Sequence, residues 1–298
     1  MLVSGEFFIP HTLGWPFLDK PPLFYWVLAL FFKLFSSYSE WVARLPGLLA
    51  LVLTGWVNFL VVRKYVSKEA AILSSLFLLT AGDILFFAST NSGEIDLFYT
   101  LIVYLQIASI FVFYERRQHL TMFLASYLFT GLGFLTKGMP SLAFQMLTLT
   151  VFLLLQRRQR LLFSFKHLVG LMLCVGVVGS YFWTCSLSTE IGPFIMSILY
   201  DSSRRTVLAS SPSQILVQVI SFPFNLVVLL APWSLVGALL IGRDSLNKIR
   251  SNRLVCFCAL FLAVNVPFYW VSPGVRDRYL YPFFPFFMVL VAYLCCCV

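Results

Sequence analysis

Long apolar runs, separated by short polar connections, dominate this sequence. Most runs are close to the roughly 20 residues that a helix needs to cross a bilayer. The pattern predicts spans at about 41–62, 70–90, 96–114, 120–137, 139–155, 167–187, 215–241, 254–271 and 281–298, nine in all. The run from Pro22 to Phe35 is too short to span comfortably, and its Lys33 and aromatic residues predict a short interfacial helix.

The composition supports the same fold class. Hydrophobic residues make up 60% of the chain and charged residues 11%, whereas soluble domains have about 45–50% and about 25%. We therefore predict an all-α polytopic membrane protein with a single transmembrane domain over residues 1–298. Residues 1–40 would form an outer loop plus the interfacial helix, and residues 41–298 the bundle.

The basic residues predict the orientation of the bundle. The formal charge is +9, but the cations are spread between apolar blocks rather than gathered on one face, so we expect no nucleic-acid partner. The connections at 63–69, 115–119, 156–166 and 242–253 hold 13 basic residues and 3 acids, against 8 and 9 elsewhere. The positive-inside rule places these four connections in the cytoplasm. The opening stretch, the loop at 94–96, segment 188–214 and the loop at 272–281 then face outward.

An acid–base pair, Asp19-Lys20, precedes Pro21-Pro22 in the opening loop. The prolines disfavour helix at Lys20 and hold it in extended backbone. Lysine is a compact cation with three donors, which suits a phosphate. The alternative, a solvated pair that anchors the interface, is at least as well supported by these residues alone.

Glu94 and Asp96 lie where an outer loop enters a span. Apolar residues follow Asp96 directly, and an ionisable group at the hydrocarbon boundary is costly, so it is a functional candidate. The competing explanation is a favourable acid at a helix N-terminus. Residues two apart on a helix point in different directions, so the role of Glu94 is left open. Asp83 is a weaker case, and Lys137, between two spans, either snorkels to the surface or faces the site.

Four arginines lie on the predicted outer face, where the positive-inside rule leads us to expect few basic residues. They are Arg204, Arg205, Arg276 and Arg278. Arginine forks match phosphate geometry. Arg278 and Tyr279 stand where a helix re-enters the membrane, the depth of a lipid-linked phosphate. The alternative hypothesis is that these arginines bind anionic lipid headgroups. The sequence supports this alternative nearly as well as phosphate binding for Arg204-Arg205, and less well for Arg278.

No cofactor is assigned from the sequence. It contains no Gly-rich phosphate loop, no Cys-x-x-Cys and no hydrolase elbow. A divalent metal is an open alternative, with His11 joined by Asp19, Glu94 or Asp96, although no ligand spacing supports it.

Several motifs together resemble a known family. They are Ser4-Gly5-Glu6, Asp19-Lys20-Pro21-Pro22-Leu23-Phe24-Tyr25-Trp26, Ala43-Arg44-Leu45-Pro46, Glu94-Ile95-Asp96-Leu97-Phe98-Tyr99-Thr100, Leu135-Thr136-Lys137-Gly138, Ala231-Pro232-Trp233-Ser234 and Arg278-Tyr279-Leu280-Tyr281-Pro282. The set resembles the polyprenol-phosphate-dependent glycosyltransferases of the GT-C class. Within that class it is similar to the bacterial transferases that put 4-amino-4-deoxy-L-arabinose on lipid A and to the protein O-mannosyltransferases.

The resemblance implies an inner-membrane enzyme that takes a sugar from a polyprenyl-phosphate carrier. The sugar would go, with inversion, to a lipid A, glycan or protein acceptor at the periplasmic face, among membrane lipids. The resemblance implies that Lys20 and Arg278 bind the carrier phosphate, that Asp96 lines the sugar pocket and that Asp19 takes the place of the family's usual glutamate. To these we add the candidates Arg276, Arg204 and Arg205 for the donor phosphate. The catalytic candidates are Asp96, Asp19 and Glu94, and Tyr25, Tyr279 and Lys137 are expected to line the sugar and lipid.

Two departures from the family pattern matter. In relatives a first transmembrane helix and an acidic motif, with the presumed catalytic aspartate, precede the opening loop, so we expect this chain to be N-terminally truncated; otherwise Asp19 or Asp96 takes over the base role. The stretch 210–214 lacks the histidine that some relatives use for a metal. The rival hypotheses are a lipid or polysaccharide transporter, which would favour mid-membrane polar residues and inverted repeats, and an inactive remnant.

Overall fold

The computed structural model describes residues 1–2, 5–12, 15–16, 20–86, 93–187, 191–203 and 211–297. Helices account for nearly all of these residues, so the prediction of a helical, multi-span membrane protein is confirmed. Two short antiparallel strands, β1 (His11–Thr12) and β2 (Trp15–Pro16), pair within the opening loop.

The α-helices follow in chain order. They are α1 (Leu23–Phe35), α2 (Glu40–Tyr65), α3 (Lys68–Leu79), α4 (Gly82–Phe86), α5 (Ile95–Glu115), α6 (His119–Lys137), α7 (Pro140–Leu155), α8 (Phe165–Ser186), α9 (Ile191–Ser203), α10 (Pro212–Leu229), α11 (Trp233–Leu240), α12 (Ser245–Ser251), α13 (Arg253–Trp270) and α14 (Phe284–Cys296). Two 3₁₀ helices, Gln159–Phe163 and Asp277–Phe283, precede α8 and α14.

Eight segments in the described part of the chain are long and apolar enough to cross a membrane. They are α2, α3 with α4, α5, α6, α8, α10, α13 and Asp277–Cys296. The one predicted span without a counterpart among these eight is 139–155. It corresponds to α7, whose 16 residues fall short of the roughly 20 that spanning requires. The short helix expected after Pro22 is α1, with 13 residues.

Two predicted spans are broken rather than continuous. The span predicted at 70–90 divides into α3 and α4, and residues 87–90 of it lie outside the described residues. The span predicted at 215–241 divides at Leu230–Pro232, between α10 and α11. The two breaks meet: the Gly82 N–H donates to the Ala231 carbonyl over 2.9 Å. This bond satisfies backbone groups that a membrane interior would otherwise leave without a partner.

The chain divides into two compact units. Unit 1 contains Met1–Pro46 and Leu105–Ala209, and unit 2 contains Gly47–Tyr104 and Ser210–Val298. The expectation of a single transmembrane domain over the whole chain stays a prediction.

In unit 1, α6 and α8 pack closely because glycines face the contact. A Cβ added at Gly170 of α8 would lie 2.8 Å from the Phe123 Cβ, and one added at Gly131 of α6 would lie 3.2 Å from the Val177 Cγ1. Small residues let membrane helices approach in this way. Buried polar groups support the same core, since Gln145 donates to the Ser126 hydroxyl over 2.9 Å.

In unit 2, a buried polar network joins α2, α3 and α5. The Asn58 amide donates to the Ser74 hydroxyl over 2.9 Å and to the Ser75 hydroxyl over 3.2 Å. The Tyr104 hydroxyl donates to the side-chain oxygen Oδ1 of Asn58 over 3.0 Å. Because these groups are completely buried or nearly so, each bond replaces water that the core excludes.

Candidate functional site

A cluster of acids around one arginine lies in unit 2. The Arg278 Nη1 contacts Glu94 Oε1 directly, and the Arg278 Nε lies 3.6 Å from Asp96 Oδ2. Asp96 is only 2% exposed, whereas the side chains of Glu94 and Arg278 are each 27% exposed. A buried carboxylate is costly without a counter-charge, and Arg278 supplies it.

The local backbone explains how acids two residues apart reach the same arginine. Glu94 precedes α5, which begins at Ile95, so the helical geometry that would separate the two side chains does not apply to it. Gly93 has a φ of 63°, a left-handed conformation that glycine adopts readily and that turns the chain into the helix. Asp96 lies in the first turn of α5, where the helix dipole favours a negative charge.

A third acid, Asp83, is bonded to a tyrosine of the same 3₁₀ helix as Arg278. The Tyr281 hydroxyl donates to Asp83 Oδ2 over 2.6 Å. Residues three apart on a 3₁₀ helix project from the same side, so Arg278 and Tyr281 present their side chains together. Asp83, the weaker acidic candidate from the sequence, is thus bonded to a residue that lies one turn from Arg278.

The cluster has unused hydrogen-bonding capacity. Glu94 Oε2 and Arg278 Nε are buried, and among the residues that the structure describes neither has a hydrogen-bond partner. The 3.6 Å separation between Arg278 and Asp96 is too long for a hydrogen bond. Buried polar atoms of this kind call for a partner, and a bound sugar is one group that would supply it. Two carboxylates, those of Glu94 and Asp96, face the guanidinium of Arg278 here.

The other predicted outer residues are placed as follows. Arg276 is exposed and Tyr279 is half-buried, both close in the chain to Arg278. Asp19, Arg204 and Arg205 lie outside the described residues, so their predicted roles stay predictions.

Unit 1 holds the opening stretch in place. The Trp26 Nε1 donates to the Phe7 carbonyl over 2.6 Å, and the Tyr181 hydroxyl donates to the Phe8 carbonyl over 3.0 Å. Ile9 is buried in a core cluster with Leu135, Tyr181, Cys185, Phe194 and Ile198. The expected outer loop is therefore anchored to α1, α6, α8 and α9.

Three predicted site residues belong to this unit: Lys20, Tyr25 and Lys137. Lys20 is half-buried and lies two residues before Pro22, which occupies the N-cap position of α1. Tyr25 is half-buried, with its ring 6.3 Å from that of Phe24 in an edge-to-face arrangement. Lys137 is half-buried at the last residue of α6.

The metal alternative gains no support from the described residues. The His11 Nε2 lies 3.1 Å from Glu6 Oε2, and its Nδ1 bonds to the Ile9 carbonyl over 2.9 Å. Over the described ranges, no three His, Cys, Asp or Glu side chains come together in a way that could hold a metal ion. The sequence did not single out the Glu6–His11 contact.

Comparison with known proteins decides the family. The family described as dolichyl-phosphate-mannose-protein mannosyltransferase matches residues 19–183, more than half of the chain. The chain belongs to this family. The resemblance to the GT-C class that was drawn from the sequence motifs is thereby confirmed.

Similar members include transferases for an amino sugar. The undecaprenyl phosphate-alpha-4-amino-4-deoxy-L-arabinose arabinosyl transferase of Pseudomonas aeruginosa (strain UCBPP-PA14) is 25% identical over 295 residues, which cover 95% of this chain and 50% of that protein. The arabinosyl transferase of Edwardsiella ictaluri is 29% identical over 175 residues, 57% of this chain and 31% of that one. The chain thus spans about half the length, or less, of the curated relatives that it matches.

A solved structure shows the same fold. The crystal structure of ArnT from Cupriavidus metallidurans bound to undecaprenyl phosphate matches 99% of this chain and 53% of that one, with a TM-score of 0.80 and 21% identity. The apo structure of the same protein matches with a TM-score of 0.77. At this identity the likeness establishes the GT-C fold and no more.

Proposed function

We propose that this chain is the membrane part of a glycosyltransferase that uses a polyprenyl-phosphate-linked sugar. The observation that carries the proposal is the Glu94–Asp96–Arg278 cluster, with its unused buried donor and acceptor, in a chain of this family. The sugar would pass to a lipid A, glycan or protein acceptor at the periplasmic face of the inner membrane.

The chemistry of the reaction suits such residues. The bond between the sugar C1 and the carrier phosphate oxygen breaks, and its electron pair leaves with the phosphate. The acceptor oxygen attacks from the opposite face, which inverts C1, and its proton passes to a carboxylate. Cations at the phosphate oxygens stabilise the developing charge. Within unit 2 this role is proposed for Arg278, with Arg276 close to it in the chain, and Lys20 is the candidate for the same role within unit 1. A carboxylate of Asp96 or Glu94 would accept the proton.

The unused atoms of the cluster match a sugar hydroxyl. A hydroxyl both accepts and donates, so sugar hydroxyls would be able to accept from Arg278 Nε and to donate to Glu94 Oε2. Replacing one partner would leave the other buried and unsatisfied, which makes such a pair selective for the correct sugar.

The donor sugar is proposed from two supports. The arabinosyl transferases similar to this chain are named for 4-amino-4-deoxy-L-arabinose. The Glu94 and Asp96 carboxylates share one guanidinium, so together they carry an excess of negative charge, which suits a sugar with an ammonium group. We therefore propose the amino sugar, rather than the mannose of the family description, as the donor.

The test uses membranes containing the full chain. Undecaprenyl-phosphate donors carrying labelled aminoarabinose or mannose are offered with lipid A, peptide and glycan acceptors. We expect transfer from the amino-sugar donor with inversion at C1, seen by NMR of the product. Transfer from mannose alone would refute the amino-sugar assignment, and no transfer from either donor would refute the proposed activity of this chain.

Variants separate the roles within the site. Asp96→Asn should lower kcat by roughly 100-fold or more, because the charged form of a catalytic carboxylate typically contributes that much. Lys20→Ala and Arg278→Ala should raise the KM for the donor. Wild-type kinetics in all three would remove these residues from the site.

Matched controls carry the same changes at exposed positions. They are Asp244→Asn, Lys33→Ala and Arg243→Ala. These variants should keep wild-type kcat and KM, which excludes a general effect of losing a charge.

A further inference from the structure

Two connections of unit 1 lie at the same end of its helices. The first joins α5 to α6 between Glu115 and His119, and the second joins α7 to α8 between Leu155 and Phe165. The rings of Tyr114, near the end of α5, and Phe152, near the end of α7, are in edge-to-face contact with centroids 4.9 Å apart. We call residues 116–117 and 156–166 the basic end of unit 1.

All the charged residues of the basic end are cations. Its six exposed basic residues are Arg116, Arg117, Arg157, Arg158, Arg160 and Lys166. It contains no acid, and the nearest acid in the chain is Glu115, at the end of α5. Six cations so arranged form a surface that attracts anions.

Two of these arginines occupy positions that usually favour glycine. Arg117 has a φ of 57° and Arg157 a φ of 53°, the left-handed conformation. In each case the chain closes the preceding helix: the Arg157 N–H donates to the Leu154 carbonyl, and the Arg158 N–H to the Leu153 carbonyl. Glycine is the usual residue at such a helix end because it adopts this conformation without steric cost. An arginine there therefore indicates a use for its side chain.

The second connection is also held firmly while its aromatic residues point outward. The Tyr127 hydroxyl bonds His167 Nε2 over 2.6 Å, and the Ser164 hydroxyl donates to the Leu161 carbonyl over 2.7 Å. Phe163 is nonetheless 89% exposed and Phe165 77% exposed. Exposed aromatic rings beside arginines, at the ends of apolar helices, are typical of a surface that enters the membrane interface.

We propose that the basic end of unit 1 binds the headgroups of anionic phospholipids, with Phe163 and Phe165 inserted among the acyl chains. The charge complementarity favours this occupant, since the surface is cationic and the aromatic rings supply an apolar contact beside it. The orientation rule alone requires basic residues in such connections, but it requires neither exposed phenylalanines on a fixed segment nor arginines at glycine-like positions.

The test measures energy transfer from tryptophan to dansyl-labelled lipids in detergent micelles containing the full chain. Dansyl-phosphatidylglycerol should reach half-saturation at a mole fraction at least tenfold lower than dansyl-phosphatidylcholine. The difference should vanish at about 1 M salt, where charges are screened within a few ångströms. Equal affinities for the two lipids would overturn the proposal.

Two sets of variants separate the charge from the rings. A basic residue near an anionic surface strengthens binding by roughly fivefold, so Arg157→Gln, Arg158→Gln and Arg160→Gln together should weaken phosphatidylglycerol binding by up to about a hundredfold. Phosphatidylcholine binding should be unchanged. The double variant Phe163→Ser and Phe165→Ser should weaken the binding of both lipids.

Controls keep the outcome decisive. The triple variant Arg63→Gln, Arg243→Gln and Arg250→Gln removes the same charge from exposed positions of unit 2 and should leave binding unchanged. An equal loss in both triple variants would overturn the proposal, as would tighter binding of soluble polyglutamate than of phosphatidylglycerol. Should the triple variant of the basic end fail to fold, Arg157→Gly removes a cation while relieving the left-handed backbone. It should melt at or above the wild-type temperature and still bind phosphatidylglycerol several-fold more weakly; wild-type affinity would refute the role of Arg157.

Discussion

Replacing Gly170 by alanine tests the packing that holds α6 against α8. The added Cβ would lie 2.8 Å from the Phe123 Cβ, 2.9 Å from the Tyr127 Cδ2 and 3.0 Å from the Phe123 carbonyl carbon. Carbon atoms pack best at about 3.5–4.0 Å, so α8 has to move by several tenths of an ångström. One of the obstructing atoms belongs to the backbone of α6 and cannot rotate away.

The magnitude follows from two opposing effects. Overpacking of this kind costs about 1–3 kcal/mol, whereas alanine is favoured over glycine inside a helix by about 1 kcal/mol. Gly176 lies on the same helix, and a Cβ added there meets nothing within 4 Å. Gly176→Ala should therefore show only the favourable effect, and the free energies of unfolding of the two variants should differ by about 1–3 kcal/mol.

The assay is thermal unfolding in one detergent at one scan rate, followed by tryptophan fluorescence. At roughly 2–4 °C per kcal/mol, Gly170→Ala should melt several degrees below Gly176→Ala. If Gly170→Ala melts at or above the Gly176→Ala temperature, close glycine packing does not hold these helices together. Parallel proteolysis of the two variants should give the same order.

Three further outcomes are expected. Tyr281→Phe leaves the half-buried Asp83 carboxylate without this hydrogen bond, so the Tm should fall and transfer should slow; unchanged values of both would separate Asp83 from the site. Asn58→Leu breaks a buried network and should destabilise unit 2 by about 1–3 kcal/mol in denaturant unfolding, contradicted by a wild-type midpoint. Tyr181→Phe removes the bond to the Phe8 carbonyl, so the opening stretch should be cleaved faster in limited proteolysis while the core remains resistant; equal cleavage rates would argue against anchoring.

The spans that the sequence predicts best are those bounded by charged or polar residues. The prediction at 96–114 matches α5 (Ile95–Glu115), and the prediction at 254–271 matches α13 (Arg253–Trp270). The reason is physical. A hydrocarbon layer of fixed thickness excludes charge, so the length of an apolar run between charges sets the length of the helix.

The helix breaks could not be predicted from the same pattern. Apolar residues continue through the second break, and at the first only Thr80, Gly82 and Asp83 interrupt them, so hydropathy over a whole span does not mark either break. Proline is no sure guide either, since Pro46, Pro223 and Pro267 lie inside helices while Pro232 follows a break. What distinguishes Pro232 is a tertiary contact, the bond from Gly82 to the Ala231 carbonyl, which gives the broken backbone a partner.

For the candidate site, too, the sequence identifies important charged residues, but it does not predict which of them contact one another. Asp96 and Arg278 stand out in the sequence because each charge is expensive near hydrocarbon. Their pairing with Glu94 was not predictable, because a separation of two residues argues against a shared partner only while the chain is helical, and here α5 begins between the two acids. The cost of burying Asp96 explains why an arginine has to be near it, but the turn at Gly93 determines that a second acid shares that arginine. Sequence thus identifies the charges that need partners, and the backbone at the helix start selects which partners they receive.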